Sequence, residues 1–234
     1  MGRLTELLRL ELQPAKVVKR LSRVTVLIWL GGKELKAHIR NTGRLLDLIY
    51  PGSDVLVQLR RNGITRASIV GVRAVNGAAL VDTYLQARAF EKACELGKIS
   101  WLRPYRIAKK EVKINGSRID YELYADGIGK GYLELKSAVY LSDGYAMYPD
   151  SPTVRGRRHI LLMKELAKAF RSVITFVAAH PSAKGFKPCK SGDPVIARLL
   201  EDAKMCGVEI RAVKVHITEE STVVLDDDNL PVYV

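Results

Sequence analysis

Ser117-Arg118-Ile119-Asp120, followed by Leu133-Glu134-Leu135-Lys136, is the stretch whose reading decides the fold. Side chains of a strand alternate between its two faces. Glu134 and Lys136 therefore share one face, and Leu133 and Leu135 the other. Asp120 and Glu122 share a face of the preceding strand. Paired as a hairpin, the two strands set Asp120 beside Glu134. Two carboxylates with a lysine at their edge are a minimal set for holding Mg²⁺ or Mn²⁺ near a phosphodiester. An ordinary cross-strand salt-bridge cluster would use the same residue types.

The flanking sequence gives this pair its setting. Residues 79–96 carry apolar residues at helical spacing and stop at Gly97. Residues 106–114 read as a strand, Asn115-Gly116 as a tight hairpin turn, and 117–124 and 131–136 as the next two strands. A tyrosine-rich hairpin or loop follows over 138–148. A helix is expected over 153–170, a buried strand over 172–179, a helix opened by Asp193-Pro194, and a last core strand over 208–217. The order α-β-β-β-α-β, then α-β, is that of a PD-(D/E)xK nuclease-like α/β domain with a mixed central sheet, here 79–234. Asp120 and Glu134 would be its metal ligands, with the Leu135 carbonyl as a further donor. Lys136 would orient or activate the attacking water and offset developing charge. Sites of this type often use a further acid, for which Glu91 and Glu95 on the helix and Glu111 on the first strand are candidates.

Residues 1–78 read differently. A long strand over 16–30, a turn at Gly31-Gly32, strands at 33–39, 55–59 and 65–75, and a short helix-like segment at 44–49 predict a small OB-like β-barrel. The boundary is expected at Asn76-Gly77. The chain's net charge is +13, and +9 of it falls within residues 1–78. A field this concentrated points to a polyanion, DNA before a membrane surface. The expected phosphate contacts are Lys16, Lys19, Arg20, Arg23, Arg40, Asn41, Thr42, Arg44, Arg60 and Arg61, joined by Arg155 and Arg158 near the start of the 153–170 helix. With Trp29 and Tyr50 almost alone as barrel aromatics, phosphate contacts should outweigh base stacking. DNA could be single- or double-stranded, and a homodimer is compatible with the sequence.

Other chemistries find no support. Cys94, Cys189 and Cys206 are too dispersed for a disulfide framework or a zinc site. There is no GxxxxGK[ST] loop, GxGxxG, HExxH or Gly-x-Ser-x-Gly elbow. The longest apolar run, 26–30, is far short of a membrane span, and a cytoplasmic location is expected.

Several motifs together carry a resemblance. Ala37-His38-Ile39-Arg40-Asn41-Thr42-Gly43-Arg44, the two acid-bearing strands, Asp143-Gly144-x-Ala146-x-Tyr148-Pro149-Asp150-Ser151, and Arg155-Gly156-Arg157-Arg158-His159 follow one another as in the SfsA family of sugar fermentation stimulation proteins. The chain resembles an archaeal- or bacterial-type homolog. The resemblance implies DNA binding, a link to regulation of sugar catabolism, and an OB-like barrel ahead of a nuclease-like domain. It carries over to Asn41, Thr42, Gly43 and Arg44, and to Asp120, Glu134 and Lys136 with Arg155 and His159 nearby. Ser137 after Lys136 and Asp82-Thr83 before the helix depart from the family's usual pattern. A Mg²⁺-dependent DNA endonuclease acting at Asp120, Glu134 and Lys136 is the alternative to a purely DNA-binding role.

Overall fold

The computed structural model describes residues 4–63 and 65–234; residues 1–3 of the N-terminal stretch and Ile64 lie outside the described residues. The chain opens with a strand, Thr5–Arg9 (β1). Five strands then make the barrel: Gln13–Ser22 (β2), Thr25–Leu30 (β3), Lys33–Ile39 (β4), Asp54–Leu59 (β5) and Ala67–Ala74 (β6). They run in the order β4-β3-β2-β5-β6, and a parallel β4–β6 pairing closes the ring. Val17, Val26, Ile28, Ile39, Val55, Val57 and Ile69 alternate inward and fill it.

The single strand expected over 16–30 is in fact β2 and β3, turned at Arg23-Val24. No glycine or proline marks this turn. The Arg20 side chain closes it by donating to the Ser22 and Arg23 carbonyls. The helix-like segment at 44–49 is a series of turns. Leu45 sits at φ +50°, and its N–H donates to the Asp150 carboxylate at 2.9 Å instead of to a helical carbonyl. Residues 79–82 are not helical either. Gly77–Leu80 is a strand (β7), fully buried, and the helix Thr83–Glu95 (α1) begins only after Asp82, whose carboxylate caps the Tyr84 and Leu85 N–H groups.

The remaining elements are Arg106–Ile114 (β8), Ser117–Ala125 (β9), Gly129–Ala138 (β10), Tyr140–Ser142 (β11), Tyr145–Tyr148 (β12), Val154–Leu166 (α2), Arg171–Ala178 (β13), Gly185–Pro188 (β14), Pro194–Met205 (α3), Glu209–Ile217 (β15) and Thr222–Asp227 (β16). The central sheet runs β7-β15-β13-β10-β9-β8, with β15-β13-β10 parallel and its other pairs antiparallel. α1 covers one face and shares a core with the barrel. α2 and α3 cover the other over Ile174, Phe176 and Ala212. This is the α+β, nuclease-like arrangement expected for the second half. β14 falls between the strand expected over 172–179 and the helix opened by Asp193-Pro194. It extends the β11–β12 hairpin into a separate three-stranded sheet.

The two halves are not strung end to end. β7 pairs with β6 of the barrel and with β15 of the central sheet, so position 78 falls inside a shared strand. β1 lies outside the barrel order and pairs with β16.

α2 and α3 are locked by one buried ion pair. Asp193, fully buried, caps α3 through the Val195 and Ile196 N–H groups and accepts the Thr153 N–H. It also receives Arg157 through two bonds of 3.0 and 2.9 Å. Burial opposes its ionisation, but Arg157 and these N–H groups hold its carboxyl below the usual range. Arg157→Ala should cost about 3 kcal/mol in urea unfolding, since it strands a buried carboxylate. Adding Asp193→Ala should cost little more. A double variant whose loss equals the sum of the single losses would show that the two side chains act independently.

Candidate metal and nucleic-acid cleft

The hairpin places its acids as its register requires. Tyr132 faces Glu122 and Leu133 faces Tyr121 across β9–β10, which sets Glu134 opposite Asp120 one step further along. There the ladder ends and side chains replace it. The Leu135 N–H donates to Asp120 Oδ2 at 2.8 Å, and the Asp120 N–H reaches Glu134 Oε2 at 3.4 Å. Glu134 is 2% exposed and looks toward α2. Its Oε1 receives Lys136 Nζ from its own strand and meets His159 Nδ1 from α2.

Burial and the neighbouring Glu134 push the Asp120 carboxyl up to about 6, against the Leu135 N–H and Lys136. Glu134 goes the other way. Burial opposes its charge, but Lys136 and His159 hold its carboxyl below the usual range. Burial likewise opposes the Lys136 charge, and Glu134 restores it, so the amine stays an ammonium well into alkaline solution.

These groups open into a cleft of about 680 Å³ whose other wall is the barrel. Asn41, Thr42 and Gly43 line it, as do Arg23 and, from the start of α2, Val154, Arg155 and Gly156. The Asn41 side chain donates to the Val81 carbonyl at 3.0 Å and accepts the Gly43 N–H at 2.8 Å. A Cβ on Gly43 would lie 2.8 Å from the Asp150 carboxylate, and one on Gly156 2.5 Å from the Tyr148 hydroxyl. Both positions need glycine for close approach rather than for backbone freedom.

The expected cations divide into groups. Arg20, Arg23 and Arg44 line a second hollow with Leu46, Ser151 and Pro152, and Arg23 borders both spaces. Arg40 stacks over Tyr84, 4.9 Å from the ring centre. Arg155 is exposed at the cleft, and Arg158 is exposed elsewhere on α2. Lys16 pairs with Asp54 at 2.7 Å. Lys19 is exposed on β2. Arg60 and Arg61 follow β5, where Arg60 and Arg66 backbones pair near Lys36, away from the Asn41 turn. The structure does not bring Lys16, Lys19, Arg60, Arg61 or Arg158 to the cleft lining.

Nor does it bring the additional acids there. Glu91 lies on α1, across the sheet from Glu134, and is taken by Lys110 at 2.6 Å and the Tyr121 hydroxyl at 3.1 Å. Glu95 pairs with Lys92, and Glu111, on the exposed β8, with Arg118. From α1 it is Thr83, Gln86 and Ala87 that line the cleft, and Gln86 is anchored by its amide to the Leu80 carbonyl at 2.7 Å. Spacing alone could have found it, but as an amide it carried no ligand signal.

Among the described residues no three His, Cys, Asp or Glu side chains gather into a metal cage. The oxygen donors present are Asp120, Glu134 and the Leu135 main chain. In a strand the C=O and N–H of one residue point the same way, so the Leu135 carbonyl shares the side on which its N–H meets Asp120. Two mutually repelling carboxylates with a carbonyl suit a hard divalent ion that retains water and takes further oxygens from phosphate.

A family model described as the sugar fermentation stimulation protein RE domain matches residues 84–221, and one described as the SfsA N-terminal OB domain matches residues 18–81. The sugar fermentation stimulation protein homolog of Archaeoglobus fulgidus is 40% identical over 200 residues, covering 86% of both chains. That of Pyrococcus furiosus is 40% identical over 205 residues, 87% of this chain and 89% of its own. The solved structure of Pyrococcus furiosus SfsA in complex with Ca²⁺ superposes with a TM-score of 0.94 and 37% identity, over 98% of this chain and 100% of that one.

The raised Asp120 carboxyl has a consequence for stability without metal. An acid whose folded pKa lies above its unfolded value penalises folding as pH rises between the two, here from about 4 to about 6. Above pH 6 the penalty is complete, of order 2–3 kcal/mol. Asp120→Asn should therefore raise the melting temperature in EDTA at pH 8 and lose that advantage below pH 4. Thermal unfolding across this range checks the sign; a variant less stable than wild type at pH 8 would contradict it.

Proposed function

The chain belongs to the sugar fermentation stimulation protein family, SfsA, and from that premise we propose that it binds DNA along the cleft, chiefly through the phosphate backbone. The observation that carries this is the meeting of the barrel's Asn41-Thr42-Gly43 turn and the Asp120-Glu134-Lys136 cluster in one cleft. Arg23 and Arg155 border it, and Arg20 and Arg44 extend the cationic surface outward. Arg20 is held by the backbone carbonyls of Ser22, Arg23 and Arg44, and Arg23 by that of Thr42. Guanidinium groups fixed in this way lose little freedom on meeting phosphate. The link to sugar catabolism comes with the family's name.

Affinity for a short duplex should fall steeply between low and high salt, because each neutralised phosphate releases counterions. Arg23→Ala with Arg44→Ala should weaken binding and lower the slope of log K against log salt by about one per lost contact. A flat salt response in the unaltered protein rejects the phosphate grip.

A second reading, divalent-metal-dependent phosphodiester hydrolysis, is favoured by the buried Lys136 standing between the two carboxylates and the cleft. The Ca²⁺ complex of the Pyrococcus furiosus relative supports a divalent ion here, and Mg²⁺ or Mn²⁺ would be the catalytic choice. Asp120, Glu134 and the Leu135 carbonyl would hold it, and it would supply charge neutralisation at the phosphoryl oxygens. The protein's own groups do the rest. Lys136 donates hydrogen bonds to an attacking water or a phosphoryl oxygen. His159 and Lys136 fix the Glu134 carboxylate. The first N–H groups of α2, at the cleft wall, favour negative charge. With Mn²⁺ present, Asp120→Ala and Lys136→Ala should each reduce DNA cleavage by about a hundredfold or more. Cleavage that persists undiminished in both variants rules this site out.

A further inference from the structure

The three-stranded sheet has one face that the core does not use. Across β11–β12, Tyr140 pairs with Met147 and Ser142 with Tyr145. Across β12–β14, Met147 pairs with Lys187. Directly opposed residues lie on the same face, so Tyr140, Tyr145, Met147 and Lys187 form one surface. The other face is spoken for. Ala146 and Phe186 are buried in the second core, and Phe186 stacks on Phe176 with ring centres 3.8 Å apart.

The outer surface is unusual for a solvated sheet. Lys187 Nζ stands 3.5 Å from the Tyr145 ring centre, and Lys184 Nζ 5.4 Å. Tyr233 meets the same ring edge-on at 5.4 Å. The acid of the hairpin, Asp143, sits at its turn. Two residues of this face, Tyr140 and Met147, also line the cleft. The surface thus continues the cleft outward without a break.

Interleaved aromatic rings and ammonium groups are the chemistry that holds unpaired nucleic-acid strands: rings stack on bases, and cations track phosphates. A paired duplex offers its backbone but not its base faces. We propose that this outer face is a single-strand track, over which unpaired bases leaving the cleft stack on Tyr145 while Lys184 and Lys187 meet their phosphates. The inference rests on the nucleic-acid reading of the cleft and adds strand selectivity to it.

The test is fluorescence anisotropy in EDTA, with an oligothymidylate of about 20 nucleotides and a duplex of the same length. Tyr145→Ala should weaken oligothymidylate binding about tenfold and leave duplex binding within about twofold, whereas Tyr145→Phe should behave as wild type. Lys184→Gln, at an exposed position, provides a second variant if Tyr145→Ala does not fold; it should weaken the single strand selectively. Equal losses for both ligands, or unchanged oligothymidylate binding, overturn the track. Wild-type protein that holds duplex but not oligothymidylate overturns the track and leaves the DNA reading standing. Wild-type protein that holds neither overturns both.

Discussion

Gly77 and Ile217 approach so closely that a Cβ on Gly77 would lie 2.3 Å from the Ile217 carbonyl oxygen. A Cβ on Gly71 would come 2.7 Å from the Ile217 side chain. This contact lets the four-residue β7 pair with the barrel on one side and with β15 on the other. The barrel and the central sheet thereby become parts of one thirteen-stranded sheet. Main-chain pairing tolerates little rotation, so the barrel's position over the central sheet is fixed. Three smaller ties finish the seam: Thr83 to the Arg40 carbonyl, Asn41 to Val81, and Leu45 to Asp150.

That fixed seam brings two kinds of electrostatics into one space. Glu134 is buried, Asp120 is half-buried, the two acids oppose each other, and only Glu134 is held by both Lys136 and His159. Desolvated like charges are costly unless a cation or a proton intervenes. The barrel arginines stand at the rim, outside this cluster, with backbone carbonyls orienting Arg20 and Arg23. Rim and floor therefore suit a polyanion in different ways. On the proposed reading the rim would attract its backbone, and the floor would need a counterion before a phosphate could come close.

Local pattern carried much of this in the sequence. Strand alternation put Asp120 and Glu134 on facing positions once β9 and β10 pair as a hairpin, because hairpin register follows from the turn that joins the two strands. The closed barrel followed from short strands and turn residues. What escaped depends on contacts distant in the chain. The Arg23-Val24 turn is closed by the Arg20 side chain. Residues 44–49 are held out of a helix by Asp150, more than a hundred positions away. β7 reads as helix because its alanines and leucine favour one, and only its burial between two sheets makes it a strand. Glu91, at helical spacing, turns to the α1 side of the sheet, where Tyr121 and Lys110 take it.

Gln86 shows how far the site's charge has been limited. It occupies an α1 position that faces the cleft, where an acid would have joined Asp120 and Glu134. A third carboxylate there would add to the burial and the Glu134 repulsion that already lift Asp120 to about 6. With an amide instead, the cleft floor carries two acids against one ammonium, and the histidine at Glu134. A divalent ion bound by so few protein oxygens must complete its shell with water or substrate phosphate. On the proposed reading, metal and nucleic-acid affinity would then be linked, each strengthening the other by the same factor.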